Sequence, residues 1–243
     1  GSVSPHVSDS DPMAPGRAMA RIFPLGGSPE PERATLTAGV LNAYLSYCHR
    51  VLDGHEENRA RDRRAEPRAN FIATQRAGRR ILQVPFARRW GMRGRLIGSG
   101  TVYGGLALEL GLTFTRVNDS RDPGRDLRER ILLALEDSSH EFFHVHTKAP
   151  DEAAHSGDPR RKRDAIESLD RGLDLLLETV KRERDLLVVV TADHSTPSRS
   201  PLIHSGEPVP VAIVGRGVRR DSVREFDEIH AGTGCLGLLR GNE

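Results

Sequence analysis

The spacing of apolar residues separates an irregular opening, a long amphipathic helix and a second half in which short apolar runs alternate with helical patterns. Residues 3–32 are rich in Pro, Gly and Ser and follow neither period, so we expect little order there unless another element covers them. From Thr35 to about Leu52, apolar positions recur every three or four residues, which predicts an amphipathic helix. The densely charged stretch Glu56–Arg68 predicts a solvated helix or loop.

From about residue 93 onward the pattern is that of an α/β domain. The expected elements, in chain order, are a helix at about 126–135, a strand at 141–147, a helix at about 160–184, and strands at 186–191 and 209–214. The continuous apolar run Leu186–Thr191 is typical of a strand buried on both faces. This alternation predicts an α/β fold whose mainly parallel sheet is flanked by helices.

Composition narrows the class of protein. The 36 Lys+Arg residues are nearly balanced by 34 Asp+Glu, and a net charge of +2 argues against a nucleic-acid partner. No apolar stretch approaches the roughly 18 residues that a membrane span needs, so we expect a cytoplasmic protein that does not bind membranes. Cys48 and Cys235 lie far apart and predict neither a disulfide framework nor a thiolate zinc site.

Potential metal ligands occur in three segments, each beside a predicted strand. They are Asp151 and His155 after the first strand, Asp193 and His194 after the second, and His204 before the third. Each segment alone could be a helix cap or an Asx-turn. Loops at the carboxyl ends of strands in an open α/β sheet converge on one crevice, however, so the three segments together predict one metal site. Two carboxylates and three imidazoles suit Zn²⁺ or Mn²⁺ and suit Ca²⁺ poorly.

Around these ligands the sequence becomes specific for a family. The run from His146 to Asp158 resembles the archaeal-type, cofactor-independent phosphoglycerate mutases of the alkaline phosphatase superfamily, and the blocks Thr191–Pro197 and His204–Pro210 follow in the family's order. Weaker similarity at Asn58-Arg59 and Ala69-Asn70 extends the resemblance over almost the whole chain.

The resemblance implies a binuclear centre and a domain division. Asp151, His155 and His204 would hold one ion, and Asp193 and His194 would supply part of the shell of a second ion about 4 Å away. Residues 1–92 would correspond to a residual cap that binds substrate, and residues 93–243 to a metal-bearing, alkaline-phosphatase-like half-core. The implied substrate is a small phosphorylated or phosphonate acid.

Three basic residues are candidates for contact with that substrate. Arg59 and Arg76 lie nearest the positions at which the family's cap supplies arginines, although both could be solvated surface residues. Lys148 is one of only three lysines and precedes Asp151 by three residues, so it either faces substrate oxygens or forms a structural ion pair. His144 and His146 share one face of a strand, and we expect them to pack or hydrogen-bond rather than bind metal.

The sequence departs from the family at its amino end. The family's opening segment, with its nucleophilic serine and first metal-binding aspartate, has no counterpart ahead of Asp11, so we expect a truncated form and cannot assign a catalytic nucleophile. One hypothesis is that a companion chain supplies the missing serine and aspartate. A second is a homo-oligomer whose reduced metal site performs serine-independent chemistry. A third is a non-catalytic, metal-stabilised binding remnant.

Overall fold

The computed structural model describes residues 3–13, 16–200 and 202–240, and the chain divides into two compact units, residues 1–82 and 83–243. The first unit contains the helices α1 (Pro31–Asp53) and α2 (Glu56–Arg63). The second unit contains α3 (Phe86–Trp90), β1 (Gly94–Gly98), α4 (Thr101–Leu110), β2 (Thr113–Arg116), α5 (Pro123–Leu135), β3 (Phe142–Val145), α6 (Ala149–His155), α7 (Pro159–Gly172), α8 (Asp174–Arg182), β4 (Leu187–Val190), β5 (Ala212–Gly215) and α9 (Glu228–Ala231). None of the helices in these ranges combines the length and the apolar character that crossing a bilayer requires.

In the first unit, the irregular opening segment packs on α1. Val7 and Ile22 are buried against Ala38 of this helix, and Leu41 and Leu45 complete the cluster. The opening segment is therefore irregular, as predicted. It is nevertheless ordered, because α1 covers it.

The side chain of Asn42 ties the opening segment to α1 by two hydrogen bonds. It accepts one from the Ile22 backbone N at 3.0 Å and donates another to the Ile22 backbone O at 2.7 Å. Both backbone groups of Ile22, which is 2% exposed, are satisfied without a strand partner.

In the second unit, a three-stranded parallel sheet has the order β2-β1-β3. Leu96 and Ile97 of the central strand are 1% and 0% exposed. Leu96 forms a core cluster with Ala107 of α4 and with Leu112, and α5 packs on β1 and β3. This is the predicted α/β arrangement of a parallel sheet flanked by helices. β1 itself was not among the expected strands, because its arginine and two glycines hide the apolar run.

Residues 83–92 lie in the second compact unit, where Phe86 of α3 packs on the Leu96 cluster with its ring centroid 4.6 Å from that of Phe142. The predicted helix at 160–184 is two helices, α7 and α8, which are interrupted at Leu173.

The strands β4 and β5 form a separate antiparallel pair. The prediction that Leu186–Thr191 is buried on both faces is wrong, because Leu187 is 60% and Val189 is 54% exposed. These two residues alternate along β4 with half-buried neighbours, so they point to the same face of the pair. In the part of the chain that the structure describes, no other element covers that face.

Helices α5 and α7 touch backbone to backbone, and two glycines make this contact possible. A Cβ atom on Gly124 would lie 2.1 Å from the Ser168 carbonyl oxygen, and one on Gly172 would lie 2.5 Å from the Gly124 carbonyl oxygen. Since α7 also packs on α6, this contact sets the distance between α5 and the helices next to the metal-ligand candidates.

We predict that Gly124→Ala destabilises the protein by about 1–3 kcal/mol, because the added methyl group forces two backbones apart. Gly105→Ala in α4 is the matched control. A Cβ atom there meets nothing within 4 Å, and alanine favours the helix. Urea unfolding followed by circular dichroism measures both variants, and equal midpoints would contradict the close contact.

Candidate metal centre

The candidate ligands lie in three segments at the carboxyl ends of β3 and β4. The helix α6 starts soon after β3, has Pro150 in its first turn, and carries Asp151 and His155 one turn apart on one face. His194 follows β4, and His204 precedes β5. An antiparallel bridge between Ser195 and Ser205, with a hydrogen bond of 3.0 Å, holds these last two loops side by side.

One carboxylate oxygen, Oδ1 of Asp151, is the point at which the segments meet. His155 Nε2 lies 3.2 Å and His204 Nε2 lies 3.4 Å from this oxygen. Thr196 Oγ1 donates a hydrogen bond to the same atom at 2.8 Å. The Asp151 side chain is only 16% exposed, so these neighbours replace most of its water.

His194 joins the group from the loop after β4. Its ring centroid lies 4.0 Å from that of His204, and one ligand atom each from Asp151, His194 and His204 lie within 4.8 Å of one another. Asp193 stays at the edge of the group, with its side chain 76% exposed and Oδ2 3.6 Å from His194 Nε2. The structure thus gathers four of the five predicted ligands closely, and the fifth faces outward beside them.

Asp151 is ionised at neutral pH. Partial burial raises the pKa of its carboxyl group, but the Thr196 hydrogen bond and the nearby His155, Lys148 and His204 lower it by more, so the net pKa lies below the usual 3.8. An ionised carboxylate surrounded by imidazoles presents the lone pairs that a divalent cation needs.

The part that Thr196 plays in the site was not predicted from the sequence. This residue is 4% exposed, and its hydroxyl lies 3.2 Å from His194 Nδ1 as well as bonding Asp151. Lys162 of α7 donates to its backbone carbonyl at 2.7 Å. The available signal was its place in the block Thr191–Pro197, but a threonine two residues after a ligand has no distinctive spacing.

His144 of β3 and His146 just after this strand adjoin the site without entering the ligand group. The His146 ring contacts Tyr103 of α4 in a tilted arrangement, with ring centroids 3.8 Å apart, and its centroid lies 6.1 Å from that of the nearly parallel ring of His144. Burial, and then His144, lower the pKa of His146 to about 4, so the ring is neutral at pH 7. Tyr103 was also missed, because nothing in its helical pattern distinguishes it from a core residue.

The predicted substrate-binding residues divide between the two units. Lys148 Nζ lies 3.8 Å from Asp151 Oδ2, and its side chain remains 48% exposed. Arg59 is exposed on α2 of the first unit. Arg76, also exposed in that unit, has a backbone φ of 52° and donates its backbone N–H to Asp9 Oδ1 at 2.6 Å.

A second group with metal-ligand chemistry, Glu225, Asp227 and His230, has a simpler explanation. Asp227 is the N-cap of α9, accepts the His230 backbone N–H at 2.8 Å and lies 2.6 Å from His230 Nδ1. Capping and an exposed ion pair account for this cluster.

A parallel α/β sheet with one carboxylate and several imidazoles at its carboxyl edge is characteristic of an α/β metalloenzyme. Residues 115–241, slightly more than half of the chain, match the sequence profile of the Metalloenzyme superfamily. The chain therefore belongs to the Metalloenzyme superfamily, which binds divalent metal ions.

Curated relatives are named as mutases. The chain is 36% identical over its whole length to "2,3-bisphosphoglycerate-independent phosphoglycerate mutase 2" of Methanocaldococcus jannaschii, of which it spans 55%. It is 38% identical over 99% of its length to the 2,3-bisphosphoglycerate-independent phosphoglycerate mutase of Methanopyrus kandleri, of which it spans 57%. The chain thus spans little more than half the length of these relatives.

Solved structures agree with the fold. A Pyrococcus horikoshii protein superimposes with a TM-score of 0.72 at 26% identity, over 84% of this chain and 54% of that one. The cofactor-independent phosphoglycerate mutase of Thermoplasma acidophilum covers 98% of this chain and 56% of its own, with a TM-score of 0.55 at 28% identity. The predicted α/β fold class and the resemblance to archaeal-type cofactor-independent mutases are confirmed.

We predict that Thr196→Val weakens binding of a divalent cation by about 10–100-fold, as loss of an outer hydrogen-bond partner does at metal sites. Valine keeps the shape of the side chain but removes the hydroxyl that orients Asp151 and His194. Thr196→Ser retains that hydroxyl and is the control. Calorimetric titration with Mn²⁺ measures the affinity, and equal affinities of the two variants would contradict the assigned role.

Proposed function

We propose that this chain is the metal-bearing part of a phosphoglycerate-mutase-like enzyme that uses Mn²⁺ or Zn²⁺ to act on a small phosphorylated or phosphonate acid. The observation that carries this proposal is the convergence of His155 and His204 on one oxygen of Asp151. The names of the curated relatives supply the substrate class.

The distances between donor atoms fit a cation. Four ligand atoms arranged tetrahedrally about 2.1 Å from an ion are separated from one another by roughly 3.4 Å. The His155 and His204 nitrogens lie 3.2 and 3.4 Å from Asp151 Oδ1.

Asp151, His155 and His204 would hold one ion, and Asp193 and His194 would contribute to a second. The bound metal would polarise phosphoryl oxygens and neutralise developing charge. Lys148, which is half-exposed beside Asp151, would attract an anionic substrate oxygen. The assignment of Arg59 and Arg76 to the substrate's phosphate and carboxylate rests on the resemblance, and their chemistry fits, since guanidinium groups bind both anions with two parallel hydrogen bonds.

We predict that Asp151→Asn and His204→Ala lose divalent-metal affinity by more than the 10–100-fold that an outer-shell substitution costs. Glu225→Gln, in the other carboxylate and histidine cluster, is the matched control and should bind metal like the unaltered chain. Metal content after equilibrium dialysis against Mn²⁺ or Zn²⁺ measures the loss and shows which ion is preferred. Equal metal content in all three variants would mean that the ligands are assigned wrongly.

The open strand edges support a companion chain. In the described residues, β3 pairs only with β1 and β4 pairs only with β5, so each has one edge without a ladder partner. The apolar side chains of Leu187 and Val189 are also exposed on β4. Unpaired edges and apolar faces of this kind favour association with another chain. We infer that a companion polypeptide lies against these strands and supplies the serine nucleophile and the further aspartate.

We predict that phosphoglycerate isomers interconvert only when this chain is combined with a polypeptide equivalent to the unmatched portion of the Methanocaldococcus jannaschii relative. Co-expression, size measurement and an assay with added Mn²⁺ test this. Asp151→Asn in the complex should abolish turnover, and Glu225→Gln should not. Turnover by the chain alone would contradict the need for a companion and favour a homo-oligomer. A stable complex that leaves the isomers unchanged would contradict mutase activity.

A further inference from the structure

Arg130, in the middle of α5, is the largest fully buried side chain in the described residues, with 0% exposure. A charged group rarely leaves water entirely unless specific partners compensate it. One terminal nitrogen of its guanidinium donates to the His146 carbonyl at 2.8 Å. The other donates to the Val117 carbonyl at 3.2 Å and forms a close ion pair with Asp119.

These partners lie at the carboxyl ends of two strands that are not neighbours. Val117 follows β2 and His146 follows β3, and β1 lies between these strands. The backbone N–H groups of Val117 and His146 already bond to Gly98 and Ile97 at the end of β1, at 3.0 and 2.9 Å. The guanidinium therefore spans the end of the central strand and joins its two flanking strands through their carbonyls.

The bridge stands at the start of the turn that carries the candidate metal ligands. Thr147 and Lys148 come directly after His146, and α6 then presents Asp151 and His155. An arginine that served only to fill the core would be replaced with little loss by an apolar residue of similar volume. The planar fork of a guanidinium, in contrast, fixes the direction of each group that it bonds.

We propose that Arg130 is a positioning residue, which fixes the β3–α6 turn and thereby places Asp151 for metal binding. This proposal rests on the metal centre proposed above. It requires that loss of the fork loosens the turn 147–151 and weakens metal affinity, beyond any effect on global stability.

Arg95 provides a matched control on the same sheet. It lies near the amino end of β1, is 24% exposed, and bonds Thr115 Oγ1 at 2.7 Å and Asp137 Oδ2 at 2.6 Å. Loss of this arginine removes a comparable set of hydrogen bonds at the end of the sheet opposite to the candidate ligands. Arg95→Met should therefore lower the melting temperature without changing the turn.

The experiment compares Arg130→Lys, Arg130→Met and Arg95→Met. Hydrogen exchange of the peptide covering residues 147–151, in metal-free protein, reports on the turn, and calorimetric titration with Mn²⁺ reports on the site. We expect faster exchange and about 10–100-fold weaker Mn²⁺ binding in both Arg130 variants. Arg95→Met should match the unaltered chain in both measurements. Arg130→Lys keeps the buried charge without the fork. If Arg130→Met does not fold, the result for Arg130→Lys alone tests the proposal.

The two proposals fail in distinguishable ways. Unchanged exchange and unchanged Mn²⁺ affinity in Arg130→Lys, together with a lower melting temperature, would reduce Arg130 to a purely structural residue and overturn its positioning role. If the unaltered chain binds no Mn²⁺, the proposed metal function fails. The hydrogen exchange of residues 147–151 would then still test whether Arg130 controls the turn. Faster exchange in Arg130→Lys but not in Arg95→Met would support this control, and unchanged exchange in Arg130→Lys would overturn it.

Discussion

The end of the second unit that carries the candidate metal ligands depends on a single carboxylate oxygen. Asp151 Oδ1 receives the Thr196 hydroxyl at 2.8 Å and lies within 3.4 Å of two imidazole nitrogens, from His155 and His204. These groups come from α6 and from the loops after β4 and before β5. A mostly buried anion requires compensation from its neighbours, and this requirement gives the loops after β4 and before β5 a common point of attachment.

Much of this site could be predicted because its chemistry is concentrated in short segments beside strands. Asp151 and His155 share a helix face through their spacing alone, and the strand-end positions of His194 and His204 predict convergence in an α/β sheet. The helix α1 and the strand β3 followed from hydrophobic periodicity, whereas β1 and β2 of the parallel sheet were not predicted. Asp193 also lies beside the site, but its outward orientation depends on loop conformation, which periodicity does not determine.

The residues that were missed act through tertiary contacts that have no sequence period. Thr196 matters because a loop brings its hydroxyl to Asp151, and Arg130 because α5 buries it across three strand ends. Similarly, the packing of Phe86 on Phe142 is a tertiary contact with no sequence period. The exposure of Leu187 and Val189 shows that an apolar run predicts a strand but not what covers it.

The hydrogen bond between Thr196 and Asp151 joins positions 45 residues apart, so a long segment of chain must fold back before it can form. Long-range closures are entropically costly, and α7 must dock before Lys162 can reach the Thr196 carbonyl. We therefore expect the loops that carry His194 and His204 to come together late, after the sheet and its helices have formed. A cation held there would act mainly on the rate at which the native chain opens and would leave the rate of collapse nearly unchanged, so it would extend the lifetime of the folded protein.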